Sequence, residues 1–269
     1  MITREPIPFP TPQNAIQRLG QACLRCLAEI GRATTIALGS FVAMRHAFSR
    51  RSRAEIVQQM YVSGIKSLPV VTVVAFFIGM ILALQIGIEL QRYNQESLVG
   101  PAVMATMLRE MGPFMSGLVL AACVGAAMAA QLGTMTINEE IAALEIMSID
   151  PIRFLVMPRM VAMVVLVPLL SFYTCMMGLL GGAVVCRTQL AVRWAVYFRE
   201  AMDFASLRAL YVGLLKALVF GIIITTVACY EGFTTKHGAV GVGLATRRCV
   251  VSCFLLILIT GYFVTRLFY

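Results

Sequence analysis

The chain has 269 residues, 59% of them hydrophobic and only 13% charged, with a mean hydropathy of +0.85. Soluble domains sit nearer a quarter charged and under half apolar, so the chain is an integral membrane protein and not a soluble domain with a large core. The net charge of +9 could suggest nucleic acid, but in a membrane protein it marks basic flanks on the cytoplasmic side, and no nucleic-acid partner is expected.

Residues 1–13 form the first unit. Four prolines fall within residues 1–12, with none of the basic start, apolar core and cleavage site of a signal peptide, so a mobile tail is expected. Residues 14–67 form the second. Ile16, Leu19, Cys23, Leu27 and Ile30 recur at three- and four-residue steps, with Arg18, Arg25 and Arg32 on another face. The uncharged stretch that follows is too short to span a bilayer, so an amphipathic helix lying in the membrane interface is predicted. A helix packed on the domain from the cytosol is the alternative. The patch HAFSRRSRAE then points to lipid headgroups. The Cys23–Cys26 pair has CxxC spacing, but no second pair or histidine follows at zinc-ligand distance, and no metal or other cofactor is expected.

Residues 68–269 read as a bundle of five spans in an all-α membrane protein. Span one is Leu68–Ile88, with Pro69 in the first turn, where it costs no hydrogen bond, and Gln85 as its one strongly polar side chain. Span two is Leu98–Ala130, interrupted by Arg109-Glu110-Met111-Gly112-Pro113 and ending in the small-residue run AACVGAAMAA, which lets helices approach closely. Span three is Pro158–Val185. A polar loop, Cys186–Arg208, holds Trp194 and a possible interfacial helix. Span four is Ala209–Tyr230 with Lys216 inside it, a glycine-rich basic loop follows, and span five is Cys249–Thr265. Five spans put the termini on opposite sides. Fourteen Lys and Arg residues fall on the N-terminal side and six on the other, which predicts a cytoplasmic N-terminus and a periplasmic C-terminus.

Two groups of residues carry functional meaning. Between spans two and three, Thr136-x-x-Glu139 is a capping-box signature, and Ile137, Ile141, Leu144 and Ile146 or Met147 form a narrow apolar stripe beside Glu139, Glu140 and Glu145. Asp150-Pro151 ends this helix. A helix so short needs a surface to dock on, either a partner or its own bundle. Within the spans, Arg109, Glu110 and Lys216 are ionisable, and such groups face a cavity or a partner because a charge at mid-membrane costs about 2.5–3.5 kcal/mol. Glu110 and Lys216 are expected to face a shared cavity, with Arg109 at its rim and Gln85 as a further polar lining group. The cations would attract a phosphate headgroup there. A buried bundle interface, or snorkelling to the surface, is the alternative. No GxxxxGK[ST] loop, HExxH or Ser–His–Asp pattern is present, so an enzyme is not expected and any ATPase is a separate chain.

The chain resembles the MlaE-type permeases, the membrane subunits of ABC systems that move phospholipids between membranes and work with an MCE-domain protein. The resemblance runs from about Gly20 onward. It is carried by GIKSLPVV (64–71), REMGP (109–113), VGAAMAAQLGTM (124–135), EEIAALEIMSIDPIRFLVMPR (139–159), LKALVFG (215–221), CYEGF (229–233) and GVGLAT (241–246). It implies a homodimer in the bacterial inner membrane, an ABC ATPase partner, a periplasmic MCE-domain partner and a central lipid cavity. It also implies that Ile137–Met147 is the coupling helix that meets the ATPase, with Glu139, Ile141, Leu144, Glu145 and Met147 in the contact. The family commonly has Arg at Cys123, Glu at Gln131, Asp at Ala142, Glu at Val240 and Thr at Arg247, where this chain departs. Loss of an Arg and a Glu from one helical stretch suggests a charge pair removed together. The expected function is thus a phospholipid permease driven by a separate ATPase. A scaffold that anchors the two partners without its own lipid site, or an ion-coupled secondary transporter using Glu110, are the rivals.

Overall fold

In the computed structural model, five helices among the described residues are long and apolar enough to cross a membrane. Residues 24, 27–29, 31–40, 50–190, 192–236 and 238–269 are described, and among them there is no strand. The expected tail, the Cys23–Cys26 pair and part of the basic patch lie outside the described residues.

Among the described residues, eight helices follow the helical residues 31–40 in order. They are α1 (Arg50–Met60), α2 (Leu68–Gln91), α3 (Glu96–Ile137), α4 (Glu140–Ile146), α5 (Ile152–Thr188), α6 (Trp194–Asp203), α7 (Leu207–Phe233) and α8 (Gly238–Phe268). The five spans are α2, α3, α5, α7 and α8, each longer than its apolar run.

Two extensions have clear causes. Span three starts at Ile152, not Pro158, because Asp150 Oδ1 accepts the Ile152 N–H at 3.0 Å. Asp150-Pro151 therefore opens α5 as well as closing the segment before it, with an acceptor ahead of the first free N–H groups and a proline where none is needed. Span five starts at Gly238, so the glycine-rich stretch is helix and not loop. Glycine weakens a helix by up to about 1 kcal/mol each. Here Gly241, Ala245 and Cys249 fall at four-residue steps and are all buried, so packing on α3 outweighs that cost.

Helix α7 is the axis of the bundle. In its most apolar 18-residue window, 67% of residues are buried, against 28% for α2 and 17% for α8. The outer helices present apolar faces outward, Val73, Phe77 and Ile81 on α2 and Leu255, Leu258 and Tyr262 on α8. Helices α2 and α5 lie in close contact because Gly79 faces the Gly178 carbonyl and Gly181 faces that of Phe76, and a methyl group on either glycine would collide.

The core is stacked in three layers. Met107, Leu108 and Leu179 belong to one, Leu120, Val167 and Phe220 to the next, and Leu132, Ile141 and Phe233 to the third. Ile36, from helical residues 31–40, joins the third layer at 5% exposure. The helix expected around Trp194 is α6, held by buried Tyr197 and Ala201.

Candidate functional site

The span-two interruption builds a polar site inside the bundle. An α-helix would pair the Arg109 carbonyl with the N–H of residue 113, but that residue is proline and has none. The chain winds into a π-helical turn over Met107–Met111 just before it. The Arg109 carbonyl is thus left to another donor, and Lys216 of α7 supplies it, with Nζ at 2.8 Å.

Lys216 spends its other two protons nearby. It donates to Glu110 Oε1 at 2.7 Å and to Thr265 Oγ1 at 2.7 Å. The Thr265 hydroxyl reaches Glu110 Oε1 at 2.9 Å and the Gly261 carbonyl at 2.8 Å, and can donate to either. An ammonium has three donors, and all three are satisfied by protein. Lys216 lies nine residues, about 14 Å, into α7 and its side chain is 1% exposed, while that of Glu110 is 42% exposed. The cluster is sealed on the lysine side and open on the carboxylate side.

Arg109 forms the rim. Its Cζ lies 4.8 Å from the centre of the Tyr269 ring, and its Nε is buried without a hydrogen bond. Arg208 Cζ lies 5.7 Å from the same ring, and Nη2 donates to the Phe268 carbonyl at 2.6 Å. The aromatic ring thus joins two guanidinium groups, an arrangement favoured by its negative face.

The structure therefore brings Arg109, Glu110 and Lys216 together. It leaves Gln85 exposed on α2, with no hydrogen bond or ion pair to the cluster. Thr265, Arg208 and Tyr269 were not singled out from the sequence. Thr265 is the last residue of the predicted span five, where its four-residue spacing from Gly261 and its hydroxyl were the only available signal.

The second group of residues is α4, outside the spans. Thr136 does not cap it. α3 continues to Ile137, and the Thr136 hydroxyl lies 2.8 Å from the Leu132 carbonyl and 3.0 Å from that of Gly232. The turn into α4 is made instead by Glu139, whose φ of 60° is left-handed, and no side chain caps the helix. Ile141 is 7% exposed and Leu144 is partly buried against the third core layer. Glu139 and Glu140 are exposed, Glu145 is half-buried, and Ile146 and Met147 are 85% and 61% exposed. One side of α4 is anchored on its own bundle, while its C-terminal end offers uncovered apolar side chains beside carboxylates.

Residues 56–267 match the family described as Permease MlaE. A probable ABC transporter permease protein of Rickettsia conorii is 39% identical over 214 residues, covering 80% of this chain and 83% of that one. One of Synechocystis is 33% identical over 220 residues, covering 82% and 84%. The intermembrane phospholipid transport system permease protein MlaE of Haemophilus influenzae is 29% identical over 257 residues, covering 95% and 98%.

Proposed function

The chain belongs to the MlaE permease family, and from that premise we propose that it moves phospholipid between the inner and outer membranes as the permease of an ABC transporter. It is a multi-pass membrane permease and not itself an enzyme, and ATP hydrolysis belongs to a separate chain. In this reading two copies sit in the inner membrane with the N-terminus cytoplasmic and the C-terminus periplasmic. A periplasmic MCE-domain protein receives or supplies the lipid.

One observation carries the proposal. Helix α3 holds Arg109 and Glu110 within the bundle and runs continuously to the turn that presents α4 outside it. A push on α4 is delivered to Glu110 through one helix, and the π-helical turns at Met107–Met111 and Ala121–Gly125 are where that helix can change register. Ile141 and Leu144 transmit the push because they are seated in the core. Ile146, Met147 and the carboxylates of Glu139, Glu140 and Glu145 meet the ATPase. At the other end, lipid phosphate is met by Arg109, since Lys216 is fully engaged by protein acceptors.

Native mass spectrometry of the tagged protein, extracted gently from its own membrane, tests this. The expected assembly holds two copies of the chain, an ATPase, an MCE-domain protein and bound phospholipid. Met147→Asp should release the ATPase, and Arg109→Ala should lower lipid occupancy with the assembly intact. Partners retained with no bound lipid, or lipid occupancy unchanged by Arg109→Ala, would replace the permease by a scaffold. Absence of an ATPase would remove the role given to α4 and favour an ion-coupled carrier.

A further inference from the structure

A pocket of about 230 Å³ lies outside the charged cluster, between the elbow joining α1 to α2 and the last third of α3. The elbow is a π-helical turn, Tyr61–Ile65, followed by Ser67, whose hydroxyl sits 2.6 Å from the Ser63 carbonyl and 2.9 Å from that of Gly64. Gly64 faces the Leu166 side chain of α5, where a methyl group would crowd it, so the elbow lies against the bundle.

The polar lining is Gln59, Ser63, Lys66, Ser67 and Gln131, and apart from Ser67 none of these side chains has a hydrogen bond or ion pair among the described residues. Ser63 is buried, Gln59 is half-buried, and Lys66 and Gln131 are exposed at the mouth of the pocket. A cation beside hydrocarbon ordinarily has an anion. One cation and three neutral donors, without protein acceptors among the described residues, therefore surround one opening. The rest of the wall is apolar, with Val62, Val70, Val124 and Met128.

Size and depth narrow the occupant. Pockets that enclose a small ligand whole run to about 300–1,000 Å³, so this one takes part of a molecule. Lys66 stands two residues before α2 begins and Gln131 six before α3 ends, so the pocket lies where the spans meet the membrane boundary. Headgroup phosphates sit at that level, and a lysine there keeps its stem in hydrocarbon and its ammonium at the surface.

We propose that this pocket binds the phosphodiester headgroup of an anionic phospholipid from the adjoining leaflet. Lys66 supplies the charge, Gln59, Ser63 and Gln131 donate hydrogen bonds, and the apolar wall holds the first part of an acyl chain. The site is separate from the Glu110–Lys216 cluster, since Gln131 and Glu110 are 21 residues, about 30 Å, apart along α3. It requires only that the chain span a membrane and does not rest on the transport reading. Gln131 is decisive, because a carboxylate at that position would offer Lys66 a partner and repel a phosphate.

Cys123 lines the same pocket and is exposed, whereas Cys175, Cys186, Cys229, Cys249 and Cys253 are buried. Its alkylation by a maleimide, followed by peptide mass spectrometry, reports whether the pocket is filled. In phosphatidylcholine vesicles containing phosphatidylglycerol, labelling of the full-length protein should be several-fold slower than in phosphatidylcholine alone. Gln131→Glu and Lys66→Gln should each weaken that protection about tenfold, the change that loss of one charge-assisted hydrogen bond brings. The two variants alter the pocket in different ways, so a folding defect in one leaves the other decisive. Equal labelling in the two vesicle types for the unaltered protein would overturn the proposal. Protection by inorganic phosphate without phosphatidylglycerol would do so too, in favour of a soluble anion. Protection that follows protein density and not lipid would assign the pocket to contact with a second copy.

Discussion

Lys216 and Lys66 belong to the same bundle and have opposite surroundings. Lys216 lies inside a span, is 1% exposed and gives all three protons to protein acceptors at 2.7–2.8 Å. Lys66 lies at the edge of a span, is exposed, borders a pocket and has no acceptor among the described residues. The difference comes from the helix opposite each one. At Arg109 a proline leaves a carbonyl without its usual donor, next to a carboxylate, so α3 presents two acceptors to α7. At Gln131 the same helix presents an amide and small residues, and the lysine facing it keeps its charge for something else. A buried cation with every donor filled holds structure together, while one with donors free is equipped to bind.

The sharpest break in that comparison is Lys216→Met. Removing one partner of a buried pair leaves the Arg109 carbonyl and the Glu110 carboxylate without their donor, at about 3 kcal/mol. The corresponding Lys66→Met change should stay within about 0.5 kcal/mol, since it removes no hydrogen bond or ion pair among the described residues. Unfolding of both variants in mixed micelles with rising SDS reads the difference. Equal losses would mean that Lys66 has a structural partner or that Lys216 is dispensable.

Glu110→Gln comes next. The amide keeps an acceptor for Lys216 but removes the counter-charge from a buried ammonium, which should cost about 2 kcal/mol in the same assay. Stability unchanged from the original protein would show that neutral oxygens alone suffice to hold Lys216. Thr265→Val is smaller, at about 1 kcal/mol, because it removes one neutral acceptor of near-equal shape. An effect as large as that of Glu110→Gln would make the hydroxyl, and not the carboxylate, the principal partner.

Much of this was legible in the sequence, for reasons that particular residues make plain. Runs of apolar residues gave five spans because hydrocarbon thickness sets a minimum length. Arg109, Glu110 and Lys216 stood out because charges are rare there, and α3, α7 and α8 bring them together with Thr265. Thr265 itself was not legible, since a threonine near a helix end has too many other uses. The start of α8 was misread because packing outweighed propensity at buried Gly241. The Thr136 capping pattern failed because its hydroxyl is engaged at the Gly232 carbonyl of α7, a contact no local pattern carries. Ile141 and Met147 shared one apolar stripe in the sequence, yet one is buried in the bundle and the other is exposed. The pocket at Lys66 depends on an elbow and a distant stretch of α3 meeting, and spacing cannot report that.

The smallest effect is the one that joins the two halves of the comparison. Cys123 and Gln131, where resembling permeases commonly carry Arg and Glu, line one pocket with Lys66. Cys123→Arg alone should add a second cation to a wall that already holds one and cost about 0.5–1 kcal/mol at this partly exposed position. Adding Gln131→Glu should recover that loss, because the carboxylate then has a cation on either side of it. If the single and double variants unfold alike, the two departures are independent, and the idea of a charge pair removed together is wrong. If the double variant is the more stable and also binds less phosphatidylglycerol, counted by native mass spectrometry because Cys123 is replaced, the two findings have one cause. A carboxylate at position 131 would then close a site that this chain, by carrying an amide there, leaves open to an anion.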